Sequence, residues 1–395
     1  LPISSTLDNV DLTGADLTHA HLESVQDDTD SAWWWISSLN GADFTNTTLT
    51  GADFTDAYLV DADLTTATIA DDIDGTWTTA DFEAATLDGA DLSGFSPSQL
   101  KDLAEVNFFG ASLDNADLSN TNLTDANFGD TWLQSIDFID ANLTGVSFDG
   151  ADLTDADLTD ATVTDMVLKT VANGLADFTD ANLTRVLLNT VAGATEDGLV
   201  DIDFTRADLT GADLSGIYFP DAQLTGATLD HATINDAHLD NAQLNNADLI
   251  DATLNHSTLQ GADLSSTDFT LATISDSYLQ NVDLNGATIN GATIRGSYLQ
   301  NADLGGATIN ATLIEQTYLQ NASFAGATFG NSTTIQHSHL QNAQLSGVDL
   351  NSTALSLTDS DLTNADLSNA TLSGQDLTVL KLSGADLSVV ADAGG

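Results

Sequence analysis

The chain has 395 residues, with 60 Asp+Glu against six Lys+Arg, a formal charge of −54, and 42% hydrophobic residues. The lack of cysteine excludes a disulfide framework and thiolate chemistry, and no apolar run approaches the ~20 residues of a membrane-crossing helix. Acid at this density alone marks disorder, but the hydrophobic residues are placed too regularly for that. The chain starts at Leu1 with no secretory pattern ahead of its repeats, which reads as a processed or trimmed product.

Large apolar residues recur every five positions. In chain order the runs are Leu7–Leu22, Leu39–Ile69, Phe82–Leu92, Phe108–Leu168 continuing in phase through Phe178, Leu183 and Leu188, Phe204–Phe329, Ile335–Leu355 and Leu362–Leu387. They hold 67 such centres, 26 of them in the unbroken run from Phe204. Two residues before each centre stands Ala, otherwise Ser, Thr or Val; Asp, Asn or Thr stands directly before it. Insertions are expected at 23–37 and 70–80 (acidic loops carrying tryptophan), at 94–106 and at 189–202. The stretch 94–106 reads as a short helix, with Ser96 as N-cap, Pro97 in the first turn and Gln99 completing a capping box. One extra residue near 330–334 and two near 356–360 shift the phase. With no Pro/Ser-rich linker, 1–395 reads as one repeat domain with decorations.

A period of five is neither the 3.6 of a helix nor the 2 of a strand. It suits a chain that turns a corner every five residues, with one large and one small side chain inside each side. Four sides close a coil of twenty residues, and stacked coils pair at ~4.8 Å. A single coil cannot bury its apolar residues, but a stack can. The segments GADLTDADLTDATV (150–163) and GADLSGIYF (211–219) resemble the pentapeptide-repeat family, A(D/N)Lxx. The resemblance implies an all-β, right-handed quadrilateral parallel β-helix, of about 17 coils and roughly 80 Å. No catalytic constellation or phosphate loop is found in the sequence, so a non-enzymatic protein is expected.

Candidate sites are few. Asp27, Asp28 and Asp30, and Asp71, Asp72 and Asp74 before Gly75, are oxygen-rich clusters suited to Ca²⁺ or Mg²⁺; no other cofactor is implied. His19/His21 and His337/His339 are spaced as transition-metal pairs. Trp33, Trp34 and Trp35 form either a flap over the coils or a partner contact. YLQN recurs at 278, 298 and 318, so Tyr278, Tyr298 and Tyr318 should stack outside and Leu279, Leu299 and Leu319 inside. Gln280, Gln300 and Gln320 with Asn281, Asn301 and Asn321 should form amide ladders. Ten Asn-x-Ser/Thr sequons, among them Asn46, Asn142, Asn255 and Asn331, are candidate N-glycan acceptors.

The acid fits two functions. It resembles the salt-adapted surfaces of halophile proteins, because molar salt screens self-repulsion within ~3 Å. It also fits a DNA mimic of the kind the family directs at DNA gyrase. The acids follow the repeats on all sides without one obvious stripe, and residues 276–355 hold only five: Asp276, Asp283, Asp303, Glu315 and Asp349. The favoured expectation is a structural or adhesive rod at the surface of a halophilic cell or virion. It would self-associate or join a larger fibre, head to tail, without contacting nucleic acid directly.

Overall fold

The computed structural model describes residues 203–390 apart from 331, 352–354 and 389, residues 101–161 apart from 149 and 160, and, with gaps, 11–17, 38–92 and 178–183. The chain divides into two compact units, Leu1–Leu199 and Val200–Gly395. Each is a right-handed quadrilateral parallel β-helix.

In Val200–Gly395 the residue before each apolar centre bridges in parallel to its equivalent twenty residues on. One column runs Tyr218, His238, Thr258, Tyr278, Tyr298, Tyr318, His339, Asp361 and Lys381. The step from Tyr318 to His339 is 21 residues and that from His339 to Asp361 is 22, so both phase slips read from the sequence are real. The two extra residues of the second slip lie upstream of 356–360. The bridge from Asp349 to Thr371 already contains them, as does the pairing of Thr333 with Leu355, which confines them between Asp349 and Leu355.

Longer pairings mark one side of the square. Strands β5 (Thr253–Asn255), β6 (Thr273–Ser275), β7 (Thr293–Arg295), β9 (Leu313–Glu315), β11 (Thr333–Gln336) and β12 (Leu355–Thr358) form a six-stranded parallel sheet. Two more, β8 (Thr308–Ile309) and β10 (Thr328–Phe329), pair on the neighbouring side. A single 3₁₀ turn, Leu377–Val379, capped by Asp376, is the one helical element among the described residues.

Leu1–Leu199 follows the same plan, mostly in coils of twenty residues, with some longer ones. Its bridges span 32 residues from Asp11 to Asp43, 28 from Tyr58 to Thr86, 26 from Thr86 to Ser112 and 25 from Asp157 to Asn182. The 70–80 segment is an antiparallel hairpin, β1 (Ala70–Ile73) against β2 (Thr76–Thr79), where a loop was expected. The helix expected over 94–106 is contradicted in its described part. Lys101–Asp102 is strand β3, parallel to β4 (Thr121–Asn122), and Leu103 and Val106 are fully buried in the coil core. Pairing with the next coil, which satisfies the backbone cooperatively, overrides a local capping signal. The 189–202 and 23–37 insertions lie outside the described residues.

The interior is made of columns of like side chains. Phe54, Phe82, Phe108 and Phe128 stack nearly parallel, with centroids 5.0, 5.4 and 4.9 Å apart. The small residues two before the centres are equally buried, so four Leu-sized and four Ala-sized side chains fill each coil. Each large one contributes about 1.5–3 kcal/mol, available only when coils lie above and below.

Corners explain the remaining pattern. The second residue after each centre sits at positive φ: 60° at Asn241 and Asn246, 73° at Gly261. Asn, Asp and Gly accept that conformation most readily. The centre's carbonyl then accepts the amide three residues on, as Leu209 O does from Ala212 at 3.0 Å. The Asp before a centre accepts the amide two residues ahead, for example Thr159 to Asp157 at 3.0 Å and Ser265 to Asp263 at 2.9 Å. Part of the acid is therefore corner chemistry.

The candidate contact face

The Tyr column of Val200–Gly395 is built on an unusual corner. After β5, β6, β7, β9, β11 and β12 the small inward residue is Ser257, Ser277, Ser297, Thr317, Ser338 and Ser360, where Ala stands at most other corners. All six are buried. Ser257 N–H donates to Ser277 Oγ at 3.1 Å, and Ser277 N–H to Ser297 Oγ at 3.2 Å. The hydroxyl of Ser277 has two carbonyls to donate to, Leu254 O at 2.5 Å and Ser275 O at 3.0 Å. The hydroxyl thus takes over the tight-turn bond and ties neighbouring coils together. The sequence carried this signal as Ser or Thr two before the centre in six successive coils; grouping Ser and Thr with Ala as small residues concealed it.

Directly after these residues come the rings. Tyr278, Tyr298 and Tyr318 are held by amide bonds to the coil before, Tyr298 N to Ser277 O at 2.8 Å and Tyr318 N to Ser297 O at 2.9 Å. Their rings stack outside, as expected, with centroids 5.0 and 4.8 Å apart and planes within 3°; His339 continues the stack at 4.9 Å and 12°. Leu279, Leu299 and Leu319 are buried beneath.

The amide expectation holds for asparagine only. Asn301 Nδ2 donates to Asn281 Oδ1, and Asn321 to Asn301, both at 2.9 Å, and Asn342 to Asn321 at 3.1 Å. The Oε1 atoms of Gln280, Gln300, Gln320 and Gln341 are instead buried with no hydrogen-bond partner. The shorter Asn side chain at the turning corner points along the stack, whereas the glutamines do not hydrogen-bond to one another.

Beside the rings runs a groove of about 550 Å³, lined by Asp276, Gly296, Glu315, Gln316 and His337 together with Tyr298, Tyr318 and His339 of the column. Glu315 is held by Arg295 Nη2 at 2.7 Å and by Gln336 Nε2 at 2.7 Å, and His337 lies 3.6 Å from Asp359. His337 and His339 are therefore engaged separately, one with a carboxylate and one in the ring stack.

The acids do form stripes, against the sequence expectation. Asp11, Asp43 and Asp63 bridge in succession, and so do Asp117, Asp137 and Asp157. Burial, reinforced by Asp117 and Asp157 on either side, raises the Asp137 carboxyl above its ordinary range. Burial with Asp230 and Asp268 does the same to Asp248. The 32-residue step from Asp11 to Asp43 hid the first stripe in the sequence, whereas Asp117, Asp137 and Asp157 stand at the regular twenty-residue spacing and were legible there.

Of the remaining sequence candidates, Asp71 and Asp72 are consecutive residues of β1, registered with Thr78 and Trp77. Asp27, Asp28, Asp30, Asp74, Trp33, Trp34, Trp35, His19 and His21 lie outside the described residues. Among the described residues no group of three or more His, Asp or Glu is placed to hold a metal ion, and no helix is long and apolar enough to cross a membrane. Sequence reasoning passed over Trp132, 58% exposed, and Leu271, 56% exposed at φ 65°.

The five-residue corner and the four-sided coil define a solenoid of quadrilateral β-helix type. The chain belongs to the pentapeptide-repeat family. "Pentapeptide repeats (8 copies)" matches residues 37–67, 102–138, 122–160, 136–168, 202–241 and 356–388. "Pentapeptide repeat region" matches 232–309, and together these cover more than half the chain. Among solved structures it is similar to QnrB1, a plasmid-mediated fluoroquinolone resistance protein, in a trypsin-treated form. That match has 22% identity and a TM-score of 0.32, and covers 48% of this chain and 87% of that one. HetL, involved in heterocyst differentiation regulation in the cyanobacterium Nostoc sp. strain PCC 7120, matches at 23% identity, 80% and 88% coverage and a TM-score of 0.20. Rfr23 from the cyanobacterium Cyanothece 51142 matches at 30% identity, 29% and 66% coverage and a TM-score of 0.13. No curated protein matches the chain.

Proposed function

We propose that this protein is a non-enzymatic structural or adhesive element of a salt-rich cell or virion surface. It binds protein, another copy of itself first, through the Tyr278–His339 face. The observation that carries the reading is the coincidence of that face with the charge-poor stretch 276–355, in a chain of net charge −54. A copy approaching along the column meets tyrosine hydroxyls, asparagine amides and ring edges, with Asp276 and Glu315 the carboxylates of the groove beside it. Aromatic, uncharged surface is the usual core of a protein interface, and a column fixed by the hydroxyl ladder loses little side-chain entropy on contact. Analytical ultracentrifugation at molar salt tests it. Tyr298→Asp should abolish a concentration-dependent association that Ser346→Asp, a surface change outside the column, leaves intact. Equal association of all three proteins would refute the reading.

A second reading is favoured by the Asp117–Asp137–Asp157 stripe. A regular column of carboxylates imitates a phosphate backbone and suits a DNA-binding enzyme such as gyrase. A supercoiling assay decides it: inhibition at substoichiometric protein supports the mimic, and its absence at a large excess removes it.

A further inference from the structure

We propose that the break in the ring column at Thr258 is a binding slot for a planar cation, and that its occupant is the guanidinium of an arginine on a protein partner. This deepens the contact-face reading and rests on it. Successive coils present Tyr218, His238, Thr258, Tyr278, Tyr298, Tyr318 and His339. From Tyr278 to His339 each coil supplies a ring, and the inner members Tyr298 and Tyr318 are half-buried because their neighbours cover both faces. At coil 258 the ring is missing. Tyr278 is consequently 40% exposed, and His238 is exposed as well. The two rings are separated by two coil rises, about 9.6 Å. That is wider than the spacing of about 7–8 Å at which one flat group would touch both. His238 is tilted 49° from Tyr218 and turns its Nδ1 to the Thr258 hydroxyl, so the stacking face of the slot is that of Tyr278.

The rim of the slot is acidic. The Thr258 hydroxyl forms the floor, 3.2 Å from His238 Nδ1 and 3.0 Å from Asp240 Oδ2. On the other side Asp236 and Asp276 stand 3.8 and 4.0 Å from His256. A ring face attracts a cation, and a guanidinium is flat, permanently charged and able to stack while its edge N–H groups reach carboxylates. A lysine ammonium, compact and strongly hydrated, uses only part of this arrangement. A phosphate-bearing base is repelled by the three carboxylates.

The test is a titration of the full chain with acetyl-Gly-Arg-Gly-amide and with its lysine counterpart, following the ring NMR signals of Tyr278 and His238. The arginine peptide should shift both rings and bind roughly five-fold more tightly than the lysine peptide. Thr258→Tyr, which supplies the missing ring, should abolish the shift and raise the unfolding midpoint, while Thr258→Ser retains binding. No shift in the unmodified chain, equal response to both peptides, or binding that survives Thr258→Tyr overturns the slot. Tyr298→Asp should leave peptide binding unchanged even where it stops self-association, so failure of the slot and failure of the contact-face reading are distinguishable.

Discussion

Replacing Ser277 by Ala tests whether the buried hydroxyl ladder holds the Tyr face in place. The substitution removes the acceptor of Ser257 N–H and one donor to Leu254 O, both inside the coil. A buried polar group left unpaired costs about 1–3 kcal/mol. The corner has one escape, the tight-turn bond from Ser257 N–H to Leu254 O that most corners with Ala use. Relaxation into it keeps the expected loss near the lower half of that range. In a solenoid the loss is local, so native-state hydrogen exchange is the appropriate assay. Protection of the Ser257 amide should fall by a factor of roughly 5–30, which corresponds to about 1–2 kcal/mol. Amides of Leu1–Leu199 should be unaffected. An unchanged Ser257 amide, or a more stable protein, would refute the ladder as a stabilising device.

Further outcomes follow from single residues. Leu271 sits at φ 65°, where a side chain that is not Gly, Asn or Asp costs about 1–2 kcal/mol; Leu271→Asn should stabilise the protein by about 1 kcal/mol in chemical denaturation. Asp137 has its folded pKa raised, so the folded state holds its proton more tightly and stability falls as pH rises through the raised value. Asp137→Asn, which keeps an acceptor for the Ile139 amide, should therefore stabilise at neutral pH and have no effect below the ordinary carboxylate range. Gly296→Ala should destabilise by about 1 kcal/mol in thermal melting, because φ is 62° there and a Cβ is strained in that conformation, while the exposed Asp276 carboxylate beside it can turn away. If the acidic surface is a salt adaptation, the melting temperature should rise steadily from low to molar NaCl as the Asp stripes are screened; a flat profile would count against it.

The period of five defined the coil, and the period of twenty placed Tyr278, Tyr298 and Tyr318 in one column from the sequence alone. The slip near 330–334 was equally legible, because an insertion that is not a multiple of five breaks the phase. The 25-residue coil between Asp157 and Asn182 was not. Its extra five residues preserve the phase, so Phe178 and Leu183 still read as in register. The segment 94–106 misled for the opposite reason: Ser96, Pro97 and Gln99 are a local helix signal, while the pairing of Lys101–Asp102 with Thr121–Asn122 is long-range and leaves no local mark. The Ser257–Ser360 ladder and the Thr258 gap were both present in the sequence as departures from a consensus. Their meaning needs the column, because a residue twenty positions away decides whether a hydroxyl has a partner or a ring has a neighbour.

Whether the proposed Tyr278–His339 contact face meets another copy is open to direct measurement. Carbene footprinting of the full chain at molar salt, at dilute and at high protein concentration, addresses it directly. Concentration-dependent protection is expected at Tyr278, Tyr298, Tyr318 and His339, and none at Asp263, Asp283 and Asp303 one side away. Protection centred on the Asp column, or none on the tyrosines under conditions where the protein associates, would contradict it.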